Sequence, residues 1–84
     1  MFLILLPLLI ILPFPLATKM ILFAANVIVL ITELLNSAIE AIVDRVSPEH
    51  SILAKNAKDA GSAAVFLSLL LLVLLWAAAV YSLL

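Results

Sequence analysis

The 84-residue sequence has no cysteine, one glycine and one histidine. Without cysteine there is no disulfide, no Cys-ligated zinc and no thiol nucleophile. The single glycine, Gly61, cannot build a Gly-rich phosphate loop, and the single histidine, His50, cannot supply an HExxH zinc site. Charge is scarce too. Asp, Glu, Lys and Arg make up 11% of the chain, against about 25% in soluble domains. A net charge of −1 excludes a basic nucleic-acid binder. What remains is apolar: 69% of residues are hydrophobic and the mean hydropathy is +1.49. A soluble domain of this size buries too little surface to hide so much apolar area. The composition therefore indicates an integral membrane protein.

The charges are confined to the middle of the chain. Residues 1–18, 20–32 and 60–84 carry none, and Lys19 stands alone between the first two runs. Three hydrophobic stretches result, which predict an all-α membrane fold of three transmembrane helices in a single domain. The last stretch, Gly61 to Leu84, is about 36 Å long as a helix, enough to cross a hydrocarbon core of about 30 Å. Trp76 and Tyr81 lie towards its end, as in an interfacial aromatic belt. The first stretch is short and holds Pro7, Pro13 and Pro15; proline removes a helical hydrogen bond and crowds the preceding turn. The expected elements are a helix over about 2–17, a second over about 20–45, a loop near 46–50 and a third helix over about 48–84. The third helix meets the membrane near Gly61. Pro13 and Pro15 are expected to end the first helix, with Leu16 to Lys19 as the turn. Ser47 reads as an N-cap and Pro48 as the first helical position. A signal peptide is a poor alternative for residues 1–18, which lack a positive n-region and a small-residue cleavage site. Arg45, Lys55 and Lys58 in the central segment place it on the cytoplasmic side.

Glu33, Asn36, Glu40 and Asp44 recur at steps of three, four and four, which puts them on one helix face. With Met20 at the outer boundary, Glu33 lies about 20 Å further in. A charged residue at a helix centre costs about 2.5–3.5 kcal/mol on insertion scales and normally faces a bundle interior. One reading is a structural polar seam. The other is a site in which two carboxylates and an amide gather a cation and polar atoms at the membrane face. Lys55, Asp59 and Ser62, and likewise Lys58 and Ser62, share faces of the third helix. Set against the first stripe, they would complete a site of Glu33, Asn36, Glu40, Lys58 and Asp59. Carboxylates with an amide oxygen suit Mg²⁺, and a lysine beside them suits a phosphate. Alternatively, residues 55–59 are a solvated loop that obeys the positive-inside rule.

The run Glu33-Leu34-Leu35-Asn36-Ser37-Ala38-Ile39-Glu40-Ala41-Ile42-Val43-Asp44-Arg45, followed by Ala57-Lys58-Asp59-Ala60-Gly61-Ser62-Ala63-Ala64-Val65, resembles the bacterial diacylglycerol kinase family. The related undecaprenol kinases share the shorter ELLN and AKD signatures. The resemblance implies a homotrimeric helical bundle in the bacterial inner membrane with its active site at the cytoplasmic face. It implies transfer of the γ-phosphate of ATP to diacylglycerol, with Mg²⁺ as cofactor. By position, Glu33 matches the general base and Glu40 the metal ligand. Glu40, Glu49, His50, Ser51, Lys58 and Asp59 match ATP-contacting positions, with Asn36 as a polar neighbour. Ile11, Leu12, Pro13, Phe14, Lys19, Glu33 and Ser62 match positions lining the lipid site. The family's amphipathic N-terminal helix has no counterpart here, so the chain reads as an N-terminally truncated member. An undecaprenol kinase, a truncated or inactive kinase-like protein and, more distantly, a small pore or scaffold are the competing expectations.

Overall fold

Two long apolar runs, interrupted by the charged middle, dictate a helical hairpin. In the computed structural model, which describes residues 2–46 and 51–84, three helices follow one another: α1 (Phe2–Ile11), α2 (Leu16–Val46) and α3 (Ile52–Leu83). Two of them, α2 and α3, are long and apolar enough to cross a membrane. The expected first span is a helix of 10 residues as described, about 15 Å long. It packs along the N-terminal half of α2 and does not add a third full span.

The turn between α1 and α2 lies at Leu12–Pro15, not at Leu16–Lys19. Pro13 and Pro15 cannot donate a backbone hydrogen bond, so they belong between helices. The Pro15 carbonyl already accepts from Lys19 N at 3.0 Å, so α2 starts at once and Leu16 to Lys19 form its first turn. Lys19 closes the other side of the corner: its Nζ donates to the Ile10 carbonyl at 3.3 Å. A cation there complements the carbonyl end of α1. At the opposite end, Ser51 is the N-cap of α3, and its hydroxyl accepts from Ala54 N at 3.0 Å. Among the described residues, α3 starts at Ile52. Ser47 and Pro48, the expected cap and first turn, lie outside the described residues.

The α2–α3 contact is built on heptad-like spacing. On α2 the inward positions are Leu22, Ala25, Val29, Thr32 and Asn36. On α3 they are Gly61, Ser68, Leu72 and Ala79. This spacing in threes, fours and sevens is that of antiparallel helices crossing at a small angle. Small residues at Ala25, Gly61 and Ala79 let the two backbones approach. Above this seam, α1 sets Leu9 against Leu22 and Ala79, and Leu5 against Ala25, Val29 and Leu72. Phe14 is only 6% exposed and meets Trp76 edge-on, with ring centroids 6.0 Å apart. Trp76 therefore packs inside the corner, whereas Tyr81 stays exposed.

One polar contact bridges the apolar part of the seam. Thr32 Oγ1 lies 2.9 Å from Ser68 Oγ. Thr32 Oγ1 is also 2.9 Å from the Val29 carbonyl, and Ser68 Oγ 2.7 Å from the Val65 carbonyl. Three contacts share two hydroxyl hydrogens, so one hydroxyl donates across the seam while the other bonds back to its own helix. Interhelical bonds of this kind average about 0.6 kcal/mol in bilayers. Thr32→Val and Ser68→Ala should each weaken the hairpin by about that amount, and the double variant by no more than either alone. Reversible unfolding in mixed micelles checks this; strictly additive losses would show that the two hydroxyls do not interact.

Candidate functional site

Helical periodicity divides the hairpin into two flanks. At about 100° per residue, Glu33, Glu40 and Asp44 lie some 40–80° round α2 from the seam position Asn36. On α3, Lys58 and Ser62 lie some 80–120° round from Ser68. Because the helices are antiparallel, both displacements fall on the same side of the pair. The Lys58–Asp44 ion pair, which closes across the two helices, confirms the geometry. One flank of the hairpin therefore carries Glu33, Glu40, Asp44, Lys58 and Ser62.

The lower part of this flank is covered. Asn26, seven residues before Glu33, is completely buried, and its Nδ2 donates to the Leu22 carbonyl at 2.8 Å. Further along, the same flank is open, with Glu33 and Glu40 exposed. Asn26 is a polar residue that the sequence reading passed over. The seven-residue steps from Asn26 to Glu33 and from Glu33 to Glu40 were the available signal.

Asn36 sits in the seam between the flanks. Its Nδ2 donates to Glu40 Oε1 at 3.2 Å. Asp44, one turn further on, is committed to Lys58. Lys58 lies just before the uncharged run that starts at residue 60. Its pKa is raised, chiefly by the hydrogen bond to Asp44. Desolvation opposes the shift, and the charges of Asp44 and Glu40 reinforce it.

Other expected site residues lie elsewhere. Asp59 is on the outer side of α3, paired with Lys55 at 3.0 Å, with both side chains well exposed. Being next to Lys58 in sequence, it points about 100° away from the flank. The Ser51 hydroxyl is taken up as the α3 cap. Glu49 and His50 lie outside the described residues. Lys19 is at the far end of α2, about 21 Å along the helix from Glu33. Ile11 and Pro13 are exposed beside it, Leu12 is half-buried and Phe14 is in the core. The expected lipid-lining set therefore splits, with Glu33 and Ser62 at the charged end and residues 11–14 and Lys19 at the other.

Among the described residues no cluster of three or more acidic or histidine side chains is poised to hold a metal ion. The donor set at the charged end is one carboxylate, Glu40, with an amide beside it and Asp44 one turn away. That set fits magnesium only in the manner in which the ion is usually bound, by one or two carboxylates plus substrate phosphates.

Comparison with known proteins identifies the pattern. The family description "Prokaryotic diacylglycerol kinase" matches residues 1–80. The chain belongs to the prokaryotic diacylglycerol kinase family. Its similarity to the diacylglycerol kinase of Pseudomonas aeruginosa is 54% identity over 59 residues, 70% of this chain and 48% of that protein. The diacylglycerol kinase of Escherichia coli is 43% identical over 65 residues, 77% of this chain and 53% of that protein. That of Sinorhizobium sp. is 70% identical over 30 residues, 36% of this chain and 22% of that protein. The chain thus spans about half the length of the Pseudomonas and Escherichia relatives it matches.

The raised Lys58 pKa has a pH consequence. A group whose folded pKa lies above its unfolded value contributes stability that is present below the unfolded value and lost as pH rises through the folded one. The hairpin's charged end should therefore hold at neutral pH and loosen in strong alkali. In Asp44→Asn the Lys58 ammonium should titrate lower than in the parent, read from its ¹⁵Nζ resonance. An unchanged titration would mean that Asp44 does not hold Lys58.

Proposed function

We propose that the chain is a membrane lipid kinase that transfers the γ-phosphoryl group of ATP to the free hydroxyl of diacylglycerol, giving phosphatidic acid. The observation that carries the reading is the flank of Glu33, Glu40, Asp44 and Lys58, in a chain of this family. It places acid, amide and ammonium groups where the apolar runs end. A lipid hydroxyl reaches that level from the bilayer and a nucleotide from the water. The site faces the cytoplasm across the bacterial inner membrane, in keeping with the positive charges of the central segment. Diacylglycerol rather than undecaprenol is the acceptor, following the names of the relatives.

Phosphoryl transfer asks little covalent work of a protein, and positioning with charge stabilisation supplies most of the catalysis. Glu33 is the general base. It takes the proton of the lipid hydroxyl as that oxygen bonds to the γ-phosphorus and the bond from phosphorus to the ADP oxygen breaks. Glu40, oriented by Asn36, would hold Mg²⁺ together with the nucleotide phosphates. Bound there, the ion neutralises the charge that develops on the phosphate oxygens. Lys58 lies on the same flank as a further cation for phosphate, and Asp44 keeps its ammonium in place until the nucleotide competes for it. Ser62 lies four residues beyond Lys58 on the lipid side and offers a hydroxyl to the acceptor's head group. Glu49, His50 and Ser51 are assigned to the nucleotide by resemblance alone, and Asp59 to its periphery. Glu33 is exposed at hydrocarbon depth on one chain, where a carboxylate normally faces protein. A homotrimer, in which neighbouring copies cover that flank, answers the requirement.

The test is ATP-dependent phosphorylation by the 84-residue chain in lipid micelles with Mg²⁺, offering diacylglycerol and undecaprenol in parallel. Diacylglycerol should be phosphorylated. Glu33→Gln should lose about 10²-fold or more in kcat, the usual scale of a general base, while keeping its helical spectrum and oligomer size. Chelating Mg²⁺ should abolish turnover reversibly. Full turnover in Glu33→Gln would sink the assignment of the base, and phosphorylation of undecaprenol alone would sink that of the substrate.

A further inference from the structure

The two ends of the Asn36 amide meet different surroundings. Nδ2 donates to Glu40 Oε1 at 3.2 Å. Oδ1 is buried and accepts no hydrogen bond among the described residues. What faces it is Gly61, the only glycine in the chain. A Cβ placed on Gly61 would overlap Oδ1 outright and lie 3.2 Å from Cγ. The backbone does not call for glycine here. The α3 helix is continuous through position 61 and no glycine has a positive φ. Glycine within a helix is less favourable than alanine, so its use at 61 answers the need for space, and Asn36 Oδ1 is what fills that space.

We propose that Gly61 is a positioning residue for the metal–nucleotide site, acting through Asn36 on the Glu40 carboxylate. The proposal rests on the kinase reading of that site. The amide has one donor end and one acceptor end. With the acceptor seated against the bare Cα of Gly61, the donor is turned to Glu40. The reverse orientation would set two acceptor oxygens against each other. The bond through Nδ2 engages one oxygen of Glu40 and turns the carboxylate, leaving the other oxygen for a cation. Orientation of a ligand by such an outer partner is worth roughly 10- to 100-fold in metal affinity. A side chain at 61 would expel the amide. A cavity of about 200 Å³, lined by Thr32, Leu35, Ile39, Ala60 and Ala64, adjoins Asn36 and Gly61 and has room to receive it. The Gly61→Ala chain therefore folds, with Glu40 deprived of its donor.

The experiment compares Gly61→Ala, Asn36→Ala and the double variant in the full chain, with Mn²⁺ and ATP as the probe and paramagnetic resonance as the readout. Gly61→Ala should weaken Mn²⁺ binding roughly 10-fold, Asn36→Ala should do the same, and the double variant should lose no more than Asn36→Ala alone. A merely structural glycine would instead give additive losses, and additivity or wild-type affinity in Gly61→Ala would overturn the proposal. A second readout does not depend on metal or turnover. The chain holds three asparagines and no glutamine, so its ¹⁵N spectrum contains three side-chain amide pairs. Gly61→Ala should move the Asn36 pair as Glu40→Gln does and leave Asn56 in place. An unmoved Asn36 pair would overturn the proposal. Failure to bind Mn²⁺ with ATP in the parent chain, with the Asn36 pair moved as expected, would instead count against the kinase reading and leave the amide relay standing.

Discussion

The close approach of α3 to α2 at Gly61 and Ser68 is the contact on which the rest of the structure depends. In a bilayer, apolar side chains gain little by leaving lipid for a neighbouring helix, so association rests on packing at short range and on interhelical polar contacts. This hairpin has both. Ala25, Gly61 and Ala79 keep the seam narrow. Thr32 meets Ser68 near its middle and Lys58 meets Asp44 at its charged end. With the seam set, α1 can lie only on a flank, and the corner of Phe14, Trp76 and Lys19 fixes which one.

The choice of flank gives the molecule its asymmetry. A single stripe on α2 runs from Asn26 through Glu33 and Glu40 to Asp44. Its first member is buried, and its later members are open. The same stripe thus serves two purposes along its length. Asn26 returns a hydrogen bond through Nδ2 to its own helix. Glu40 takes a hydrogen bond from Asn36, one turn before it, and Glu33 lies exposed. The opposite flank is apolar at the same level, with Leu35, Ile39, Ala60 and Ala64 about a small cavity. Asn36 sits where the two flanks join, so it senses both.

Length does the rest. The α2 and α3 helices have 31 and 32 residues, about 46–48 Å each, and so overhang a hydrocarbon core of about 30 Å. The overhang is at the charged end, where Asp44, Lys55, Lys58 and Asp59 can be hydrated. Along α2, the exposed Glu33 and Glu40 fall between the uncharged run and the hydrated end.

Composition and periodicity determined the membrane class, the helical content, the two long spans and the Glu33–Asn36–Glu40–Asp44 stripe. Each follows from the chemistry of one segment: an uncharged run long enough to cross lipid, or steps of three and four on one face. The residues of both motifs were legible too, and family membership followed from their order. Pairing across helices was not legible, because it depends on which way α3 is rotated against α2. That rotation gave Lys58 to Asp44, sent Asp59 outward to Lys55, and put Ser62 on the acidic flank. Nor could local pattern place Phe14 in the core, Lys19 on the end of α1, or Ser51 as the cap of the described α3. Pro13 and Pro15 marked a break, but only the packing of Leu9, Leu22 and Ala79 decided that α2 begins within that break at Leu16. In this protein the sequence by itself determined what each helix is made of. The tertiary structure decided which faces meet, because that depends on how closely two backbones can approach.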